Sequence, residues 1–362
     1  MVGYLILIIV AIYFVRIVFI VISWHTAKPY ITHGQQQSVS IVIPFRNEKE
    51  NLEHLSSALM AQEGVNVEVE YIFVDDHSTD LGAESICKGL PHQLIHPGSH
   101  RGKKKAIETG IMSARYDNII TLDADVVPGK KWLATICDAM QHTQADLLIL
   151  PVEILPGEKT LEKLQSLEFM SVTGITAGTA MHSKPVMCNG ANLAFRKKAW
   201  LETNQRRHDD HMASGDDMFF LHQLKGRGKI MWLHSKDVMV GTSAMKDLRS
   251  LFSQRIRWSS KSIYFKDRDT IIWGTIVLLT QLILLFSFFL ALTKTTSWAT
   301  FKWVFLFKTF ADFLLLHVVA RWSGRNKVLK YLPILVVLHP LYVAITLLGT
   351  LVYKPAWKDR KI

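Results

Sequence analysis

Residues Ile271 to Thr293 contain no charged side chain. Such a run matches the roughly 20 apolar residues a helix needs to cross the hydrocarbon layer of a bilayer, so it ties this chain to a membrane. Gly3 to Trp24 is a second run, interrupted only by Arg16. Tyr331 to Tyr353 is a third, with Pro333 and Pro340 expected to bend or break it. Phe301 to Ala320 is apolar on average but holds Lys302, Lys308, Asp312 and His317, and is read as a fourth. These ends carry the excess that gives 362 residues a hydrophobic content of 49%. The N-terminal run reads as an anchor rather than a cleaved signal peptide: its start is uncharged, its core too long, and Ser23-Trp24-His25 a poor cleavage site. The expected division is an anchor over 1–25, a polar linker over 26–38, a globular domain over 39–243 and an interfacial helix over 244–268. Apolar segments follow at about 271–293, 301–320 and 331–353 (together 269–353), then a basic tail over 354–362.

The net charge is +11, which invites a nucleic-acid reading. Its placement answers differently. Lys246, Arg249, Arg255, Arg257, Lys261, Lys266 and Arg268 precede the Ile271 run, and Arg321, Arg325, Lys327 and Lys330 lie between two later ones. That distribution suits anionic lipid headgroups, the positive-inside rule, or an anionic substrate. No nucleic-acid-binding motif accompanies it, so nucleic acid is not an expected partner. Cys87, Cys137 and Cys188 are far apart, odd in number and without metal-ligand spacing, which reads as reduced thiols.

Between the apolar ends, short strands alternate with helical stretches. Val39–Ile43, Val69–Val74, Asn118–Leu122 and Leu147–Leu150 read as strands, and Glu50–Gln62 and Lys104–Ala114 as helices. This alternation predicts an α/β fold with a mainly parallel sheet, which binds ligands beyond the carboxyl ends of its strands. Three strands end in polar clusters: Pro44-Phe45-Arg46-Asn47-Glu48, Asp75-Asp76-His77-Ser78-Thr79-Asp80, and Asp123-Ala124-Asp125. One acidic pair after a strand can be a mere cap or turn; three at one rim imply a shared ligand. No G-x-G-x-x-G follows the first strand, which excludes a dinucleotide-binding dehydrogenase, and Gly98 to Lys103 is one residue short of a P-loop.

The chemistry of the clusters follows from residue type. In an extended segment Asp123 and Asp125 would face one site. Hard carboxylate oxygens suit Mg2+ or Mn2+ bound together with substrate phosphates. Transfer to a hydroxyl needs a base, and Asp217 in Ser214-Gly215-Asp216-Asp217 is the candidate; the competing reading is a cap for a helix over Met218 to Lys225. His208-Asp209-Asp210-His211 reads as a solvated loop, since consecutive residues rarely all reach one ion. Ala244 to Lys261 reads as an amphipathic helix. Leu248, Leu251, Phe252 and Ile256 cover an arc of roughly 140°, with Gln254, Arg257 and Lys261 on another face and Trp258 at the margin. It is either a basic helix lying on a membrane surface or, further, a device in which Arg257 forks diphosphate oxygens and Trp258 is a platform for a sugar ring.

The ordered stretches VSIVIPFRNE, VDDHSTD, RGKKKAIETG, LDAD, NGANLAFRK, SGDD and QRIRW resemble family 2 glycosyltransferases with the GT-A fold. The similarity is to the membrane-embedded branch that includes cellulose, chitin and hyaluronan synthases and ceramide glucosyltransferases. It runs from about Val39 to Lys261. The resemblance implies that Pro44, Glu48, Asp75 and Asp76 contact the nucleotide, one of these Asp residues near a uracil, with Lys103 near the donor. Asp123 and Asp125 would hold ribose, metal and diphosphate, Asp125 being the metal ligand of choice. Asn189-Gly190-Ala191-Asn192 would border the donor sugar, and Gln254, Arg257 and Trp258 would close the site. Two departures stand out: Gly215-Asp216-Asp217 replaces Thr-Glu-Asp, leaving Asp216 or Asp217 as the base, and His77 replaces the usual Gly after the paired Asp. The implied reaction inverts the anomeric centre of a UDP-sugar, with a growing polysaccharide as acceptor or, alternatively, a membrane lipid glycosylated once. Homo-oligomers or other membrane subunits are further expected partners. A rival of another class is a non-catalytic sensor of nucleotide sugars. Since nucleotide sugars are cytosolic, the catalytic domain is expected there, in an integral protein of a bacterial inner membrane. Four full crossings would leave the basic tail outside, against the positive-inside rule, unless the last segment is re-entrant and broken at His339-Pro340.

Overall fold

The computed structural model describes residues 2–204 and 216–352, with two short strands at Ala356–Trp357 and Arg360–Lys361. The His208–His211 stretch, Ser214, Gly215 and most of the tail lie outside the described residues. In chain order the elements begin with α1 (Val2–Thr26), β1 (Val39–Phe45), α2 (Lys49–Met60), β2 (Val69–Asp75), β3 (His92–Ile95) and α3 (Lys103–Ser113). Next come β4 (Asn118–Leu122), β5 (Val126–Pro128), α4 (Trp132–Thr143), β6 (Leu147–Ile149), β7 (Val152–Ile154) and α5 (Thr160–Met181). Then follow β8 (Asn192–Arg196), α6 (Lys197–Asn204), α7 (Asp216–Leu224), β9 (Ile230–Trp232), β10 (Val240–Thr242) and α8 (Leu248–Ser259). The chain continues through α9 (Arg268–Leu292), α10 (Trp298–Ser323) and α11 (Leu332–Val352).

The central sheet has the order β3-β2-β1-β4-β8-β6-β9. β1 pairs in parallel with β2 and β4, and β2 with β3; only β8 runs against both neighbours. All seven residues of β1 are buried, because helices cover both faces, as in mainly parallel sheets generally. Alternation sorts the side chains: Ile41 and Ile43 pack with Leu52, Leu55, Phe73, Trp132 and Leu133 on the α2/α4 side. Val42 packs with Ile72, Val74, Ile107 and Ile111 on the α3 side. α3 comes so close to the sheet that a Cβ on Gly110 would stand 2.3 Å from Val42 Cγ1. The α3-side core runs on without a break into Ile17, Ile20 and Trp24 of α1 and Leu315 and Val319 of α10. The domain is thus seated on its apolar helices rather than tethered to them. A second, small sheet, β5-β10-β7, closes the far side.

Among the described residues, four helices are long and apolar enough to cross a membrane: Gly3–Thr26, Arg268–Leu292, Trp298–Ser323 and Asn326–Val352. Pro340 lies inside α11 without breaking it, so the expected interruption at His339-Pro340 is absent. α8 is shorter than the periodicity of Ala244 to Lys261 suggests. Asp247 stops it on the N-terminal side by accepting a hydrogen bond from the Ser250 N–H at 2.8 Å.

Candidate active site

Because β1 is parallel to both β2 and β4, the three polar clusters after these strands sit on one rim of the sheet. A cavity of about 920 Å³ opens there. Pro44, Glu48, Lys103, Asp123 and Asp125 line it from the rim, Asn189, Gly190, Asp216 and Asp217 from the opposite wall, and Gln254, Arg257 and Trp258 from α8. Residues separated by more than 200 positions in sequence therefore meet at one place. Asp75, Asp76 and Asn192 are not brought to this wall. Asp75 accepts from the Ser78 N–H at 2.8 Å, and Asp76 accepts from the Gly102 N–H at 2.9 Å, which sets the turn before α3. Asn192 is fully buried; its amide donates to the carbonyls of Pro151 and Val238, both at 2.9 Å, and its oxygen accepts from Trp132 Nε1 at 3.1 Å. Its polar atoms knit β8 into the core.

His77 adopts φ +60°, a left-handed conformation that non-glycine residues rarely hold. Its ring hydrogen-bonds the Gly98 carbonyl at 3.0 Å, which accounts for a histidine at a position suited to glycine. Asp123 and Asp125 are not two alternating residues of one extended segment: Asp123 directly follows β4 and Asp125 lies in the turn that leads to β5. The turn still delivers both to the cavity, because β5 is recruited by β10 into the small sheet immediately afterwards.

The electrostatics of the site are lopsided in a useful way. Lys103 Nζ stands 2.6 Å from Asp123 Oδ1. Burial alone would lower the Lys103 pKa, but Asp123, then Asp125 and Asp217, more than offset this and raise it. Asp125 is open to the cavity yet hemmed in by protein, and its pKa is pushed up to about 6, first by burial and then by Asp123 and Glu48. Two further cations face the acids. Burial lowers Arg257, opposed by Asp123 and Asp125. Lys261 falls to about 8 by burial, opposed by Asp217 and reinforced by Arg257 and Lys103. Lys261 lines the cavity; the cationic-face periodicity had placed it beside Arg257 without assigning it a task.

Asp217 sits in the first turn of α7. Its carboxylate accepts from the Gly190 N–H at 2.8 Å and from the Met218 N–H at 2.9 Å. It therefore caps its helix and faces the cavity at once, so the two readings of this residue are compatible. A Cβ on Gly190 would meet the Asp217 side chain at 3.3 Å, which keeps that approach free of a side chain. α5, which no periodicity announced, supplies the apolar wall through Phe169, Val172, Thr173 and Thr176.

Among the described residues no group of three or more His, Cys, Asp or Glu converges as a complete metal cage. The acids do fit an Mg2+ or Mn2+ that completes its shell with phosphate oxygens and water. Asp125 is crowded by Asp123 and Glu48, an excess of negative charge that a divalent cation relieves.

An α/β sheet with acidic strand ends facing a cationic helix defines the class of site: one suited to an anionic substrate held with a divalent cation. Residues 40–203 match the model of the family "Glycosyl transferase family 2", and the chain carries a family 2 glycosyltransferase domain. A poly-beta-1,6-N-acetyl-D-glucosamine synthase from Staphylococcus epidermidis is 24% identical over 296 residues, covering 78% of this chain and 66% of that protein. One from Staphylococcus aureus is 24% identical over 237 residues, covering 64% of this chain and 56% of that protein. The chain thus spans between about half and two thirds of the length of these curated relatives. A mannosyltransferase from Pyrobaculum calidifontis, solved with GDP-mannose and Mn2+, superposes with a TM-score of 0.58 at 14% identity, over 98% of this chain and 100% of that one. That likeness shows the fold, which is GT-A, apolar helices included.

Proposed function

We propose that this chain is an inverting hexosyltransferase that moves a sugar from a nucleotide-sugar donor, a UDP-sugar, to a hydroxyl of a growing polysaccharide. The observation that carries the reading is the convergence of Asp125, Asp217 and Arg257 on one cavity. The polymer acceptor is supported by the names of the relatives, and the uridine by the resemblance of the ordered motifs as a whole; single transfer to a membrane lipid is the alternative outcome of the test. Asp217 takes the acceptor hydroxyl's proton as the new C–O bond forms at the anomeric carbon. The bond from that carbon to the diphosphate breaks on the opposite side, and its electron pair leaves with the diphosphate. Lys103, Arg257 and Lys261 face the developing charge, in a setting where preorganised cations stabilise a transition state well. A divalent cation on Asp125, with Asp123 beside it, supplies further neutralisation when bound.

The division proposed is an anchor, a GT-A domain, the QxxRW helix and the C-terminal apolar helices. The protein is proposed to be integral to a bacterial inner membrane, with its catalytic domain in the cytosol where nucleotide sugars are made. The test is incubation of detergent-solubilised protein with a panel of labelled UDP- and GDP-sugars, Mg2+ or Mn2+, and membranes. Nucleoside diphosphate release with a labelled high-mass product is expected, and Asp217→Asn should lower turnover about 100-fold or more. A labelled lipid would replace the polymer by the lipid acceptor. Binding of a donor without release by the wild type would leave a sensor and overturn the transferase.

A further inference from the structure

α8 has a second working face. Two residues along a helix point about 200° apart, so when Arg257 faces the cavity Arg255 faces away from it. Arg255 is 5% exposed and is not part of the cavity wall. Its Nη2 donates to Glu168 Oε2 of α5 at 2.6 Å, with Tyr342 of α11 close enough to both to act on their charge. Its Nη1 donates to Gln254 Oε1, and its guanidinium carbon stands 4.4 Å from the centre of the Trp258 ring. Gln254 and Trp258 line the cavity from α8 beside Arg257. One planar cation, pinned from below by α5 and α11, therefore touches both.

We propose that Arg255 is a positioning residue: anchored by Glu168, it holds Gln254 and Trp258 in place at the sugar end of the cavity. The inference rests on the transferase reading for its kinetic consequence but not for its geometry. Stacking on an indole and a two-pronged hydrogen bond both need the flat guanidinium, which lysine lacks. A purely structural ion pair needs only opposite charges.

The test compares Arg255→Lys, the charge swap Glu168→Arg with Arg255→Glu, and Trp258→Phe with and without Arg255→Lys, all in full-length detergent-solubilised protein. Hydroxyl-radical footprinting reads Trp258 directly and does not need turnover. Arg255→Lys should raise oxidation of Trp258 about twofold and lower turnover about tenfold, the scale of a partly desolvated cation–π contact. UDP–Mg2+ affinity, read by calorimetry, should hold to within about threefold, since Arg257 and the acids are untouched. The swap should recover thermal stability lost in the single variants but neither turnover nor the Trp258 footprint. In the Trp258→Phe background Arg255→Lys should cost clearly less than in the wild type. Wild-type footprint and turnover in Arg255→Lys, or a swap that restores both, overturns the proposal. If the wild type turns over no donor, the transferase reading fails instead, and the footprint alone still decides what Arg255 holds.

Discussion

Lys261 is a cavity-lining residue whose charge state is set by its surroundings. Burial brings it from 10.5 to about 8, with Asp217 and Asp216 opposing and Arg257 and Lys103 reinforcing the fall. Because the folded pKa lies below the unfolded one, the folded chain releases this proton between about pH 8 and pH 10 while the unfolded chain keeps it. The contribution to stability is therefore fully present only above that window and is lost as pH falls through about 8. A diphosphate placed against the ammonium favours its charged form. Binding of UDP with Mg2+ at about pH 9 should thus take up close to one proton, seen as a heat that varies with the ionisation enthalpy of the buffer. Lys261→Gln should remove that uptake; uptake that survives the substitution would assign it to another group. Residue type was legible in sequence here, as a cation one turn beyond Arg257. Its depressed pKa was not, since it comes from burial in the folded chain, with Arg257 and Lys103 of α3 adding to the fall.

At the scale of elements, the short apolar strands with acidic ends were readable because a parallel sheet buried on both faces needs near-continuous apolar runs. β8 was not, since five residues of NGANLAFRK look alike whichever way they run. α5 escaped for a different reason: it is covered from several sides, by β7 and by α1, α10 and α11, so it has no polar stripe for periodicity to detect. Its signal was the spacing of Gly174 and Gly178. A Cβ on Gly178 would stand 2.5 Å from Ile20 Cγ2 of α1, and one on Gly174 2.7 Å from Leu315 Cδ1 of α10. The Gly174 carbonyl also accepts a hydrogen bond from Trp24 Nε1 at 3.1 Å. Small residues let these backbones approach. Gly178→Leu should therefore destabilise the protein by about 1–3 kcal/mol through overpacking, read as a lower midpoint in detergent thermal unfolding. Gly274 of α9 has nothing within 4 Å of its would-be Cβ, and Gly274→Ala should leave the midpoint unchanged or slightly raised. Equal losses at both positions would show that close packing of α5 is not what the glycines serve.

At the scale of the whole molecule, the question is on which side of the membrane α11 ends. Its first residue follows a short helix whose entrance is tied to the catalytic side: Arg325 bonds Glu153 of β7 at 2.9 and 2.6 Å, and Lys163 of α5 stands 5.5 Å over the Tyr331 ring. Its other end is held on the same side. Tyr342 packs on Phe252 of α8 at 5.6 Å, and a Cβ on Gly349 would lie 2.5 Å from Ile256 Cδ1. α8 cannot be far from the domain, for five residues join it to β10 and eight join it to α9. The start of α9 is in turn clamped to α7 by Lys225, 2.8 Å from Asp267 and 3.0 Å from Asp269. An unbroken helix with both ends fastened to domain-side elements is expected to run along the interface rather than through the bilayer. The prediction is three crossings, by α1, α9 and α10, with the C-terminal end of α11 on the side of the catalytic domain, as the positive-inside rule favours. Single cysteines, with Cys87, Cys137 and Cys188 replaced, can decide the matter in sealed right-side-out vesicles. Thr295→Cys, in the loop between α9 and α10, should react with a membrane-impermeant maleimide from outside. Val352→Cys, 87% exposed at the end of α11, should react only after the vesicles are opened. Reaction of both from outside would mean that α11 crosses after all, and that its contacts with α8 are made within the bilayer.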